Sequence, residues 1–492
     1  MTIGQGRNRE PSLRVGYVRF LFSVAALMSA LAANGSPTSI QAAEAPRPNF
    51  LVILCDDLGY GDLSCYGHPA IKTPHLDQLA SEGIRFTDCY SASPVCSPSR
   101  AGLLTGRTPS RVGVYDWIPS GHPMHLKSSE LTIATLLKRA GYATCHVGKW
   151  HLNGQFNKPS QPQPDDHGFD HWMSTQNNAA PSHANPTNFV RNGQAIGKQE
   201  GYSCQVVAAE AIHWLREIRD PAKPFFQFVC FHEPHEPIAS PPELVDEYPD
   251  AKKKGAALYY ANVANMDRAV GKLLQALDDL KLADDTLVVF TSDNGPETLD
   301  RYPNAWRSHG SPGPLRGMKL HLYEGGIRVP GIVRWPGTVK AGQTLAEPVC
   351  SVDLLPTFCD LAGGQLPQDR QLDGQSITPL LRGETFERQI PLYWHYFRAL
   401  TAPKAALRVG DFMVLGHGDA TSPRGAGERE QYEAIPRTEL VDFELYDLKA
   451  DLNQATDLAG EDERTKALSA KLKQRYRQVQ AEGPQWTIGE KK

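Results

Sequence analysis

The chain predicts an α/β fold: a large mixed, mostly parallel sheet sandwiched by helices, followed by a small C-terminal antiparallel sheet subdomain with a helix. Three observations predict it. Short apolar, β-branched or aromatic runs alternate with segments of helical periodicity. Those runs are apolar nearly throughout, as in parallel strands covered on both faces, rather than at every second residue. After about residue 385 the alternation stops, and strand-like runs follow one another across turns. A length of 492 residues suits one large α/β domain plus a smaller one.

The first segment, residues 1–45, stands apart from the fold. Arg7, Arg9, Arg14 and Arg19 precede "FLFSVAALMSALAA", a run of signal-peptide length and too short to span a bilayer. Small residues suitable for cleavage follow near Ala33–Gly35 or Gln41–Ala45. A single membrane anchor is the alternative. The signal-peptide reading makes the protein exported, periplasmic or secreted, with no membrane attachment after cleavage.

"NFLVILCDD" (49–57) then reads as a buried strand ending in carboxylates, and "HLDQLASEG" (75–83) as a short helix stopped by Gly83. "ELTIATLLKRAG" places Ile133, Leu136, Leu137 and Ala140 on one helical face, with Gly141 as the stop. A strand follows in "YATCHVGKWHL" (142–152). The next helix carries Val207, Ala211, Trp214, Leu215 and Ile218 on one face, and leads into "KPFFQFVCFHEPHEP", a strand broken by proline. A longer helix aligns Val263, Met266, Val270, Leu273, Leu274 and Leu277 before the strand "TLVVFTSDNG" (286–295). Beyond residue 385, "PLYWHYF", "AALRVGDFMVLG" and "FELYDL" read as antiparallel strands, and Leu468, Leu472, Tyr476 and Val479 mark a terminal helix. The division is therefore 46–385 and 386–492.

In parallel sheets, ligands gather beyond the carboxyl ends of the strands. Four such ends here carry ionisable or amide groups: Asp56-Asp57, Lys149 with His151, His232 with His235, and Asp293-Asn294. A lone Asp-Asp pair is ordinarily a solvated turn. With Asp293-Asn294 closing a second apolar strand, the oxygens suit a hard divalent cation, calcium above all. Arg100, Lys149, His151, His235 and Lys319 form a cationic set able to donate to a tetrahedral oxyanion. A single lysine is usually a surface residue, but Lys149 continues an apolar strand between Gly148 and Trp150. His232 and His235 are also readable as a zinc pair, but no third ligand of suitable spacing follows and HExxH is missing.

A formal charge of −4 gives no basic field for nucleic acid. Nine scattered cysteines without a CxxC pair exclude a disulfide scaffold and a zinc ribbon, and their odd number leaves at least one thiol free. Cys55, just before the aspartates, reads as strand packing. The only glycosylation sequon, Asn34-Gly-Ser, lies in the export segment, which fits a bacterial exported protein better than a lysosomal one. By its residues alone, Cys96 in "PVCSPSRAGLLTGR" is open to four readings: metal ligand, disulfide half, buried filler or nucleophile.

The motif "CSPSRAGLLTGR" (96–107) resembles the signature of the type I, formylglycine-dependent sulfatases of the alkaline phosphatase superfamily. So do "DDLGYGDLSCYG" (56–67), "VGKWHL" (147–152), "TSDNG" (291–295) and "LRGMKLHLYEGGIRVP" (315–330), all in the family's order and covering about residues 48–460. The resemblance implies an alkaline-phosphatase-like fold, a catalytic domain over 46–385 and hydrolysis of sulfate monoesters. It implies that a formylglycine-generating enzyme reads Ser97, Pro98 and Arg100 and oxidises Cys96 to Cα-formylglycine, whose hydrate is the nucleophile. It further implies one calcium ion per chain on Asp56, Asp57, Asp293, Asn294 and the modified Cys96. Arg100 would hold the hydrate, Lys149 and Lys319 would neutralise the sulfate, and Asp293 would activate the diol. His235, matching better than His232, or Lys319 would protonate the leaving group, and His151 would act as base in the final collapse.

The overall look is nearest to arylsulfatase and N-acetylgalactosamine-6-sulfatase-type enzymes. This implies a sulfated carbohydrate or aryl sulfate substrate. The loops 153–166 and 177–198, rich in Pro, Asn, Gln and His, are candidates for substrate contact, against a default reading as solvated loops. The stretch Met318-Lys319-Leu320-His321 departs from the small residues common beside that lysine. Two other readings remain: a phosphate or phosphonate ester hydrolase of the superfamily, which tends to carry Asp-His where this chain has Asp293-Asn294, and a non-catalytic glycan-binding relative.

Overall fold

The strands, in chain order, are β1 (Asn49–Asp56), β2 (Ile84–Phe86), β3 (Cys89–Tyr90), β4 (Ala143–Lys149), β5 (His171–Thr175), β6 (Val190–Arg191), β7 (Gln194–Ala195) and β8 (Phe225–Pro234). There follow β9 (Thr286–Ser292), β10 (Gly331–Arg334), β11 (Gln343–Leu345), β12 (Val349–Cys350), β13 (Leu392–His395), β14 (Pro403–Val409), β15 (Phe412–Gly418) and β16 (Leu440–Asp447). The computed structural model describes residues 47–419, 427–484, 486 and 487, so the segment read as an export signal lies outside the described residues.

Ten strands form the main sheet in the order β11-β2-β10-β9-β1-β8-β4-β5-β6-β7. Its centre, from β9 to β5, is parallel. The β10 strand runs antiparallel beside β9, and the short β6–β7 hairpin runs antiparallel at the other edge. The sheet is therefore mixed and mostly parallel, as the sequence predicts. Every residue of β1 is buried. Alternate side chains go to opposite faces: Phe50, Val52 and Leu54 join one core, while Leu51, Ile53 and Cys55 join the other. This is why the strand reads as a continuous apolar run.

Among the described residues, the first six α-helices are α1 (Pro74–Ser81), α2 (Cys96–Thr105), α3 (Ile133–Arg139), α4 (Ser203–His213), α5 (Pro242–Val245) and α6 (Ala256–Asp279). In α3 the Thr132 side chain caps the first turn by accepting from the Thr135 N–H, and Ile133, Leu136 and Leu137 are buried as their spacing predicts. α4 runs into a π-helical turn, Trp214–Ile218. The wider turn carries Ile218 off the apolar face, leaving it 43% exposed, contrary to the periodic reading. α2 is a helix that periodicity does not reveal, because all ten of its residues are buried and it has no exposed face.

The C-terminal sheet is antiparallel in the order β13-β14-β15-β16. Leu468, Leu472, Tyr476 and Val479 of the helix Glu463–Glu482 cover one face, against Ala405, Leu407 and Val414. The other face presents Trp394, Ala406, Met413 and Leu415 to a cluster that also contains Val95, Cys96 and Leu320. The smaller sheet thus packs directly on the start of α2. Among the described residues, no helix is long and apolar enough to cross a membrane.

Gly148, next to the last residue of β4, has φ of +104°, and a Cβ there would lie 1.8 Å from the Cys230 carbonyl oxygen of the neighbouring strand. Both the backbone conformation and the close approach exclude a side chain. Gly148→Ala is expected to cost at least about 3 kcal/mol, measurable by urea denaturation. Wild-type stability would contradict this packing.

Candidate active site

The strand ends converge. β1 ends in Asp56, and Asp57 leaves it with φ of +65°, a left-handed turn. Beyond β9, Asp293 Oδ1 accepts from the Asp57 N–H at 3.2 Å, and Asn294 Nδ2 donates to Asp57 Oδ1 at 2.7 Å. Oxygens of Asp56, Asp57 and Asp293 lie within 4.8 Å of one another, all buried. Asp56 Oδ1 and Asn294 Oδ1 are buried without a hydrogen-bond partner. Unpartnered buried oxygens are costly, and this all-oxygen set fits a hard divalent cation.

Three permanent cations face the three carboxylates. Arg100, on the second turn of α2, donates from Nε and Nη2 to Asp293 Oδ2 at 3.0 and 2.8 Å, and from Nη1 to the Lys149 carbonyl at 2.8 Å. Lys149 Nζ meets Asp56 Oδ2 at 2.6 Å, and Lys319 Nζ meets Asp57 Oδ2 at 2.7 Å. Burial raises the Asp56 carboxyl, but Lys149, His235 and Arg100 outweigh it and hold the group well below its usual range. Burial, with Asp56's charge added, pushes Asp293 up to about 7, and burial pushes Asp57 up to about 6. Burial thus works against three full negative charges in the cluster, even beside its own cations.

Cys96 is the first residue of α2 and is 3% exposed. Burial raises its thiol to about 11, although Lys149 and Lys319 pull the other way. A thiol so placed is protonated near neutral pH and is a poor nucleophile. Its electrostatic neighbours also include Asp56 and Asp293, so the cysteine and the carboxylates share one pocket. The nine cysteines are all free, which removes the disulfide reading.

His151 follows β4 with φ of +57°. Its Nε2 lies 3.2 Å from the Ile118 carbonyl, and its buried Nδ1 has no partner. Nε2–H therefore donates and Nδ1 is left as an acceptor. Burial, reinforced by Lys149 and Arg100, holds the imidazole well below its usual range, hence neutral. His235 Nδ1 donates to the Glu236 carbonyl at 2.6 Å, and its Nε2 is 3.5 Å from Asp57 Oδ2. His232 turns elsewhere, with Nε2 2.8 Å from Thr175 Oγ1 and an edge-on contact to Phe189. The zinc-pair reading fails on this divergence: among the described residues, only the three aspartates group as metal ligands.

The sequence reading passed over Glu297. Its carboxylate accepts from Arg301 at 2.6 and 2.7 Å and lies 3.7 Å from Lys319 Nζ. Burial alone would lower the Lys319 pKa, but Asp57 and Glu297 hold it well above its usual range. The signal for Glu297 was only its position after "TSDNGP".

The Sulfatase family pattern matches residues 48–364. The chain is 36% identical to steryl-sulfatase of Rattus norvegicus, with 72% of this chain and 74% of that protein covered. It is 38% identical to arylsulfatase A of Homo sapiens, with 77% and 78% covered, and 37% identical to N-acetylgalactosamine-6-sulfatase of Homo sapiens, with 74% and 71% covered. Among solved structures, Ps i-CgsB in complex with k-i-k-neocarrahexaose superimposes with a TM-score of 0.75 at 28% identity, covering 89% of this chain and 94% of that one. With the fold, the five motifs and these likenesses in agreement, the chain belongs to the sulfatase family and is a sulfuric ester hydrolase.

Proposed function

We propose that the protein hydrolyses sulfate monoesters on sulfated carbohydrates, such as N-acetylgalactosamine-6-sulfate units, using calcium and a formylglycine made from Cys96. The observation that carries the mechanism is the pair of unpartnered buried oxygens, Asp56 Oδ1 and Asn294 Oδ1, in the pocket that holds Cys96. The carbohydrate reading draws support from the neocarrahexaose bound by a relative of the same fold.

Asp56, Asp57, Asp293 and Asn294 would hold the calcium, with residue 96 completing its shell. The bound ion would supply Lewis-acid polarisation of sulfate oxygens and a lowered pKa for the attacking hydroxyl. A hydrated aldehyde at residue 96 offers two oxygens on one carbon, one to take the sulfuryl group and one whose collapse releases it, which a thiol lacks.

Around these groups the side chains have separable tasks. Lys149 and Lys319 place two ammonium groups against the sulfate oxygens, charge-assisted donors in a dry site. Arg100 locks the Asp293 carboxylate and the Lys149 backbone, and so orients residue 96 one turn earlier on α2. Asp293 takes the proton of the attacking hydroxyl. Lys319, an ammonium held by two carboxylates, donates to the leaving alkoxide better than His235, which burial lowers to about 3. His151 Nδ1 is the free acceptor for the proton lost in the final collapse.

We further read residues 1–45 as an export signal, the mature protein as periplasmic or secreted, and residues 386–492 as a small C-terminal subdomain beside the catalytic domain 46–385. The maturation partner is a formylglycine-generating enzyme. The test is the intact mass of the peptide around residue 96 after co-expression with that enzyme. Conversion of thiol to aldehyde lowers it by about 18 Da, unlike the mass-adding steps of ordinary cysteine oxidation. An unconverted, fully active protein would overturn the proposal.

A further inference from the structure

Trp117 is 43% exposed, the one aromatic among the large exposed hydrophobic side chains of the described residues. Its main chain is nevertheless clamped from both sides. On one side, the Ile118 N–H donates to Ser97 Oγ at 3.1 Å, and the Ile118 carbonyl receives His151 Nε2 at 3.2 Å and Gln176 Nε2 at 3.0 Å. On the other, the buried Asp116 accepts from the Trp117 N–H at 2.8 Å, from Tyr396 Oη at 2.9 Å and from Arg398 Nη1 at 2.7 Å. The indole is thus held out by residues bonded to the neighbour of Cys96 and to the proposed base.

Two more exposed side chains come from the segment joining β13 to β14. Arg398 is 42% exposed and uses one guanidinium nitrogen on Asp116. Leu400 is 57% exposed, and its N–H donates to the carbonyl of Leu320, the residue after Lys319. An aromatic face, a guanidinium edge and an aliphatic side chain therefore stand on segments tied to Ser97, His151 and Leu320. None of the three contributes its apolar area to a core, and none touches the carboxylate cluster.

We propose that Trp117 and Arg398 form a sugar subsite at the margin of the catalytic pocket, in which the indole stacks on the C–H face of a pyranose and the guanidinium pairs with a second acidic group of the same saccharide. This rests on the carbohydrate reading above and specifies it: the preferred substrate carries an acidic group besides the ester that is cleaved. Indole offers a flat apolar surface with a polar edge, and a guanidinium fork matches carboxylate or sulfate oxygens. Leu400 adds apolar surface to the same margin.

The test uses the full-length, formylglycine-converted protein with two sulfated disaccharides, one carrying a second acidic group and one without, and inorganic sulfate as competitive inhibitor. Trp117→Ala is expected to raise KM for both disaccharides by about tenfold, with much less change in the inhibition constant of sulfate, which reads the charged cluster alone. Trp117→Phe should recover most of the loss. Arg398→Gln is expected to raise KM only for the disaccharide with the second acidic group, and Arg398→Lys to restore part of it. Unchanged KM values, or KM and the sulfate constant moving together, would overturn the subsite while leaving the carbohydrate reading intact. A wild-type protein that cleaves 4-nitrophenyl sulfate but neither disaccharide would sink the carbohydrate reading itself.

Discussion

Cys96→Ala is expected to reduce kcat for sulfate ester hydrolysis by at least about 10³-fold, with folding stability changed by no more than about 1 kcal/mol. The two numbers separate because the side chain is small and its proposed work is chemical. Alanine in place of Cys96 removes only one sulfur atom from its cluster at the start of α2, and alanine starts a helix without strain. Removing the proposed covalent nucleophile would leave only binding and electrostatic stabilisation by the lysines. Steady-state kinetics beside urea denaturation would check this. A variant with near-normal turnover would show that residue 96 does not attack the sulfuryl group.

The second large effect is expected at Arg100. Its guanidinium donates twice to Asp293 and once to the Lys149 carbonyl, and Asp56 Oδ1 lies 3.8 Å away. Arg100→Ala strands a buried carboxylate, a loss worth about 3–5 kcal/mol for buried pairs broken on one side. It also frees the backbone that carries Lys149, so kcat is expected to fall by at least about 10²-fold. Arg100→Lys should recover little, because a single ammonium cannot serve Asp293 and the Lys149 carbonyl together. Denaturation midpoints and kcat measured on both variants would decide. A stable, active Arg100→Ala protein would mean that the Asp293 pairing is ornamental.

The central strands and the charged ends of β1, β4 and β9 were legible for one physical reason. A strand covered on both faces must be apolar until it leaves the sheet, so the first charged residues mark the point where the chain meets solvent or a site. The same logic fails for α2. A helix buried all round has no amphipathic period, and Pro98 and Gly102 lower its propensity further. The resemblance of its motif placed Cys96 and Arg100, but periodicity did not place the helix.

Ile218 shows another limit, since a spacing argument assumes 3.6 residues per turn and the π-helical turn breaks that assumption. His232 and His235 were separable only in three dimensions, where one meets Thr175 and the other Asp57. Trp117 left no trace at all in the pattern. It sits in a Pro-, Gly- and Ser-rich stretch, and its placement depends on bonds to residues as distant as Arg398. Glu297 was hidden likewise, because its importance comes from Lys319 rather than from neighbours in the chain.

The burial of α2 sets an order of events in the protein's biogenesis. Ser97, Pro98 and Arg100 are enclosed as completely as Cys96, so a maturation enzyme of the proposed kind could not grip this stretch once the sheets have closed over it. Conversion of Cys96, as proposed above, would therefore have to come while the nascent chain is still open. On that reading a molecule that collapses early would be trapped as an inert thiol, and the yield of working catalyst would be a race between modification and the chain's own folding.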